Sequence, residues 1–232
     1  MGLSVFEGFA KATAMILVSE IGDKTFFIAA LMAMRHPRGV VLAGALGALA
    51  LMTVLSAIFG WAAPNLISRR LTQNGATILF FFFGLRLLWT GFTIKGGVSS
   101  ELAEVEAELD GEGKSKEDVK KTFEKAQAEA KELKAKSGFL KQYLSPVFLE
   151  TFTLTFLGEW GDRSQIATIG LAAQESVTGV ALGGVVGHAI CTTAAVLGGK
   201  HLASQISERA VAFCGGVLFL VFGVHSLITA GS

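Results

Sequence analysis

Glu20-Ile21-Gly22-Asp23-Lys24-Thr25 and Glu159-Trp160-Gly161-Asp162-Arg163-Ser164 are two copies of one pattern, Glu-x-Gly-Asp-basic-hydroxyl. Each residue of the second copy follows its counterpart by 139 positions. From ordinary residue frequencies one such match is expected only on the order of a few times per million windows. Two matches, each in the middle of a long apolar stretch, therefore mark an internal duplication. The flanks agree weakly: Gly44 with Gly183, Thr53 with Thr192 and Gly60 with Gly199 share the same offset.

The surrounding sequence says what kind of chain carries the pair. Of 232 residues 51% are hydrophobic and 17% charged. The apolar residues fall in blocks of roughly 18 to 25, the length a helix needs to cross a bilayer. Long continuous runs favour helices over alternating strands. Six spans are expected: Val5 to Met34, Val40 to Ala63, Gly75 to Ile94, Val147 to Ala173, Val177 to Gly199 and Ala210 to Thr229. The first is too long for a straight crossing and should be tilted or broken. The predicted fold class is thus an all-α membrane protein. Residues 1–95 form a first three-helix repeat, 96–142 a charged linker and 143–232 a second three-helix repeat. Three spans per half is an odd number, so the second half enters the membrane from the opposite side. That makes the repeats inverted, with a site expected at their interface.

Loop charges set the orientation. Arg35 to Arg38, the central stretch, Lys200 and Arg209 lie on one side, and Arg69 and Arg70 on the other. The more basic side is expected in the cytosol. The central stretch opens with an acidic run, Glu101, Glu104, Glu106, Glu108, Asp110 and Glu112. Further on, Val119, Phe123, Ala126, Ala130 and Leu133 fall at helical spacing, which predicts a partly helical, solvated linker. No cleavable signal is legible, and Phe6 breaks the myristoylation pattern after Met1-Gly2. Cys191 and Cys214 sit in apolar blocks without metal-ligand spacing and read as small buried residues.

The motif chemistry points to a hard cation. Glu and Asp three apart share a helix face, so Glu20 with Asp23, and Glu159 with Asp162, can converge. Each ionised carboxylate at the bilayer centre is unfavourable by roughly 3 kcal/mol or more unless paired. Lys24 and Arg163 balance two of the four, leaving two negative charges that one divalent cation or two protons would neutralise. Metal binding needs deprotonated ligands, so the two compete. Gly22 and Gly161 would allow local unwinding, and Thr25, Ser164 and Gln165 would add neutral oxygens. The oxygen set suits Ca2+ or Mn2+, with Mg2+ ranked lower because it dehydrates reluctantly. His188 is a candidate proton relay, although a packed, hydrogen-bonded histidine is the commoner case. Arg86, a charge within the third span, either balances the acidic site or snorkels or pairs structurally, and His36, His201, His225, Trp61 and Trp89 read as loop, packing or interface residues.

Ser19 to Phe27 and Gly158 to Gln165 resemble the Gdt-type family of Ca2+/Mn2+:H+ antiporters over nearly the whole chain. The resemblance implies a secondary transporter, not an enzyme, that exchanges Ca2+ or Mn2+ for protons, with Glu20, Asp23, Glu159 and Asp162 as the motif acids. It implies no resident cofactor, the metal being the transported substrate. Asn65 to Arg69 and the Glu-rich opening of the linker are similar to plant secretory-pathway members, so a Golgi or endoplasmic reticulum membrane is expected, with a chloroplast membrane as the alternative. The expected partners are divalent cations, protons and lipid, not nucleic acid; a homo-oligomer stays open. Three rivals remain on the residues alone. A carboxylate-ring channel would move no protons. An intramembrane metal enzyme would need a nucleophile and base that are not apparent. An exporter of a cationic organic solute would be competed by Mn2+.

Overall fold

A computed structural model describes residues 4–93, 105, 145–203 and 205–230. The described residues form eight helices: α1 Val5–Glu20, α2 Lys24–Arg35, α3 Arg38–Leu66, α4 Arg69–Thr93, α5 Pro146–Gly158, α6 Arg163–Ala172, α7 Val177–Ala203 and α8 Glu208–Ala230. No strand occurs among them. Four are long and apolar enough to cross a membrane unaided, at Arg38–Leu66, Arg70–Thr93, Val177–Gly199 and Arg209–Ile228. The expected helical linker segment from Val119 to Leu133 lies outside the described residues.

The expected break in the first apolar block falls at Ile21–Asp23, between α1 and α2, and the fourth block breaks likewise between α5 and α6. Local chemistry explains both. Ser4 starts α1 by accepting from the Glu7 amide at 3.3 Å, and Ser145 starts α5 ahead of Pro146 by accepting from Phe148 at 3.1 Å. Gly22 and Gly161 then adopt left-handed backbone, φ 80° and 81°. Glycine enters that region without the Cβ clash other residues meet. Asp23 and Asp162 follow as the N-cap residues of the restarted helices.

Packing pairs each broken helix with an unbroken one from the other half. A Cβ placed on Gly179, Gly183 or Gly187 would meet Val5, Phe9 or Ile16 in turn, so α1 runs alongside α7 in the same direction. On Gly44, Gly47 and Gly60 it would meet Phe148, Phe152 and Ile169, so α5 and α6 follow α3. The two arrangements share one contact under the 139-residue offset: Gly44 against Phe148 corresponds to Gly183 against Phe9. Helices α3 and α7 cross where Gly184 meets Thr53. Helix α4 packs on α8, with Phe80 and Phe83 against Phe219. One end of the molecule gathers Ser4 and the turns at 67–68 and 173–176, and is here called the N-terminal face. The other gathers the turn at 36–37 and Ser145, and is called the linker face.

Candidate metal site

The two breaks meet in the interior, and their side chains cross over. The Thr25 hydroxyl, at the start of α2, donates to Glu159 Oε1 at the end of α5. Ser164, in the first turn of α6, sits near the Glu20 carboxyl at the end of α1. Both glutamates are buried, 3% and 2% exposed, and Glu20 Oε1 has no hydrogen-bond partner among the described residues.

One carboxylate oxygen each from Glu20, Glu159 and Asp162 lie within 4.8 Å of one another. Oxygens held about 2.3–2.6 Å from a Ca2+ ion sit up to about 5 Å apart, whereas an octahedral Mg2+ site closes them to about 4.2 Å. Oxygens within 4.8 Å of one another are close enough to share one hard cation. Asp23 is engaged otherwise: Arg163 Nη2 donates to Asp23 Oδ1 at 3.0 Å and to the Ser19 carbonyl at 3.1 Å. This pins the α1–α2 break to the first residue of α6. Asp162 has a second task, since its Oδ2 accepts from the Ser164 amide at 3.0 Å and caps α6. Gln165 accepts from the Gly161 amide at 2.7 Å, bracing that turn. His188 Nδ1 lies 3.9 Å from Glu20 Oε2.

The cap yields a test that separates folding from charge. Asp162→Ala is expected to lower stability by about 1 kcal/mol, while Asp162→Asn keeps the cap and melts close to the parent. Equal melting of both variants in detergent would show that the cap contributes nothing.

Two small cavities, each about 10 Å3, flank the carboxylates. One lies on the Glu159 side, lined by Thr53, Ser56, Gln165, Thr168 and His188 among others. The other lies on the Glu20 side with Phe26, Ala29, Ala45 and Thr155. Ser56, Thr155 and Thr168 carried no motif signal in the sequence. Thr53 did so weakly, through its offset partner Thr192. A partly buried ion pair between Lys11 and Glu175 at 2.5 Å, 164 positions apart, also had no local signature.

Buried carboxylates clustered between broken helices, with hydroxyls around them, define a cation transporter rather than a soluble domain. Comparison with known proteins narrows the class. The chain matches the family described as "Divalent cation/proton antiporter GDT1" over residues 8–95 and 147–232, which spans both halves and leaves out the linker. It is 59% identical over 226 residues to GDT1-like protein 5 of Arabidopsis thaliana, covering 97% of each chain. It is 60% identical over 227 residues to GDT1-like protein 4 of the same plant, at 98% of each. The chain belongs to the GDT1 family of divalent cation/proton antiporters: it is an integral multi-pass membrane protein and a transporter rather than an enzyme. GDT1-like protein 5 of Oryza sativa subsp. japonica is 56% identical over 229 residues. No solved structure matches the chain.

Proposed function

We propose that this chain exchanges Ca2+ or Mn2+ for protons by alternating access. Glu20, Glu159 and Asp162 hold the metal, and Asp23 is the fourth motif acid, kept in place by Arg163. Lys24 and Arg163 balance charge, while Thr25, Ser164 and Gln165 complete the surroundings. The two broken helices count as one span each, which gives six spans in two inverted three-helix repeats. The carrying observation is the Thr25 hydroxyl of one break bonded to Glu159 of the other, beside three carboxylate oxygens within 4.8 Å.

The chemistry follows from charge balance. Four acids and two bases leave two negative charges in a medium that disfavours them. A divalent ion or two protons satisfies the same oxygens, so each displaces the other. Because every ligand sits at a helix break or helix end, small rotations of one half open or close the set without disturbing the long helices. A Golgi or endoplasmic reticulum membrane, or alternatively a chloroplast membrane, is the proposed setting. The cation would be taken from the cytosol and released into the lumen against protons.

The test is flux in proteoliposomes with a pH dye inside. An outward proton movement that requires external Ca2+ or Mn2+ and collapses when the pH gradient is dissipated is expected. Divalent entry with no proton movement would instead mean a channel.

A further inference from the structure

Seven of the nine residues lining the Glu159 cavity have their 139-offset counterpart lining the Glu20 cavity. The two cavities are therefore copies of one feature, and their differences are informative. Ser56 corresponds to Ala195, Thr168 to Ala29, Gln165 to Phe26 and His188 to Leu49. Three of these apolar counterparts, Ala29, Phe26 and Leu49, line the Glu20 cavity, while Ala195 lies outside its lining. Only Thr155, whose counterpart is Ile16, reverses the trend.

The hydroxyls of the Glu159 cavity are set to accept. Thr53 donates its proton to the Leu49 carbonyl at 2.7 Å, and Thr168 donates to the Ser164 carbonyl at 2.7 Å. With their protons committed to their own helices, both oxygens offer only lone pairs to the cavity. Ser56 Oγ, on a residue 1% exposed, has no partner among the described residues although it lines the same space. A buried hydroxyl without a partner is unfavourable by about 1–3 kcal/mol. Lone pairs directed into a pocket beside a carboxylate suit a cation or its hydrating water.

We propose that this cavity is a second, transient subsite for a hard divalent cation, formed by Ser56, Thr53 and Thr168 beside Glu159. The proposal rests on the antiport reading. Ser56 and Thr168 lie between the carboxylates and the N-terminal face, since α3 and α6 both run toward that face. On that route the hydroxyls stand in for water as the ion leaves or joins the carboxylates, and Ca2+ accepts such flexible oxygen sets. The Glu20 cavity keeps Thr192 and Thr155, whose Oγ1 is likewise buried without a partner among the described residues, but has Ala29 where the Glu159 cavity has Thr168 and Phe26 where it has Gln165, so the linker-face route offers fewer oxygens.

The experiment uses full-length protein reconstituted in one orientation, with Ca2+ or Mn2+ supplied to one face at a time. Ser56→Ala should raise the apparent KM about tenfold at the N-terminal face and by less than about twofold at the linker face. Ala29→Ser should lower the linker-face KM instead; it serves as the second variant if Ser56→Ala folds poorly. Unchanged KM in both variants, or equal shifts at both faces, would overturn the subsite while Glu159→Gln still abolishes flux. Flux surviving in Glu159→Gln would overturn the antiport reading itself.

Discussion

Glu159→Gln is expected to bring Ca2+- and Mn2+-driven proton movement to background, with protein yield and membrane insertion unchanged. Glutamine matches glutamate in shape and its amide oxygen can still accept from Thr25, so that pairing survives. What disappears is one charge and one oxygen able to exchange a proton for a metal. The excess of acids over bases falls from two to one, too little to hold a divalent ion in an apolar medium. Outer-shell substitutions at metal sites typically lower affinity about 10–100-fold, and loss of a direct ligand should exceed that. Glu20→Gln should behave alike, because the two motifs supply equivalent groups. Near-normal flux in both variants, measured by dye quenching in loaded vesicles, would remove these carboxylates from the mechanism.

Much of this arrangement is legible in the residues. The break in the first apolar block follows from a length too great for one straight crossing, and the first and fourth blocks each carry a Gly-Asp step in the middle. Gly22 and Gly161 are where the left-handed turns occur, and Asp23 and Asp162 begin the next helices. The contact between the motifs is a three-dimensional consequence. Sequence leaves open whether Arg163 pairs with its own acids or those of the other motif. The structure puts it on Asp23, 140 positions away, because α6 starts beside the α1–α2 break. Ser56 and Thr168 were illegible for a different reason. Each is a single hydroxyl in an apolar helix, where a bond to its own backbone is the ordinary outcome. Only their place beside Glu159 in one cavity, and the comparison of Thr168 with Ala29 on the matching wall of the other, gives them meaning.

The largest structural effect is expected at Gly183. A Cβ there would lie 2.3 Å from the Phe9 carbonyl oxygen and 2.9 Å from Phe9 Cα. Those are backbone atoms of α1, so no side-chain rotation relieves the clash, and the whole helix must move. Close approach through small residues is how helices associate in lipid, where hydrophobic burial gives little advantage. Overpacking a core is usually unfavourable by about 1–3 kcal/mol, and a backbone clash belongs at the upper end or beyond. Gly183→Val should therefore remove most folded protein, and Gly183→Ala should lower the melting temperature clearly. Gly44→Ala, at 2.8 Å from the Phe148 carbonyl oxygen, should cause a smaller loss. Gly75→Ala, with nothing within 4 Å, should be neutral or slightly stabilising through helix propensity. Melting in detergent, followed by size-exclusion after heating, ranks the four. Displacing α1 also moves Glu20 at its far end, so any Gly183→Ala protein that folds should bind divalent cations more weakly, whereas Gly75→Ala should not. A Gly183→Ala protein as stable as the parent would mean that α1 and α7 do not approach this closely, and the crossed geometry built on that approach would fall with it.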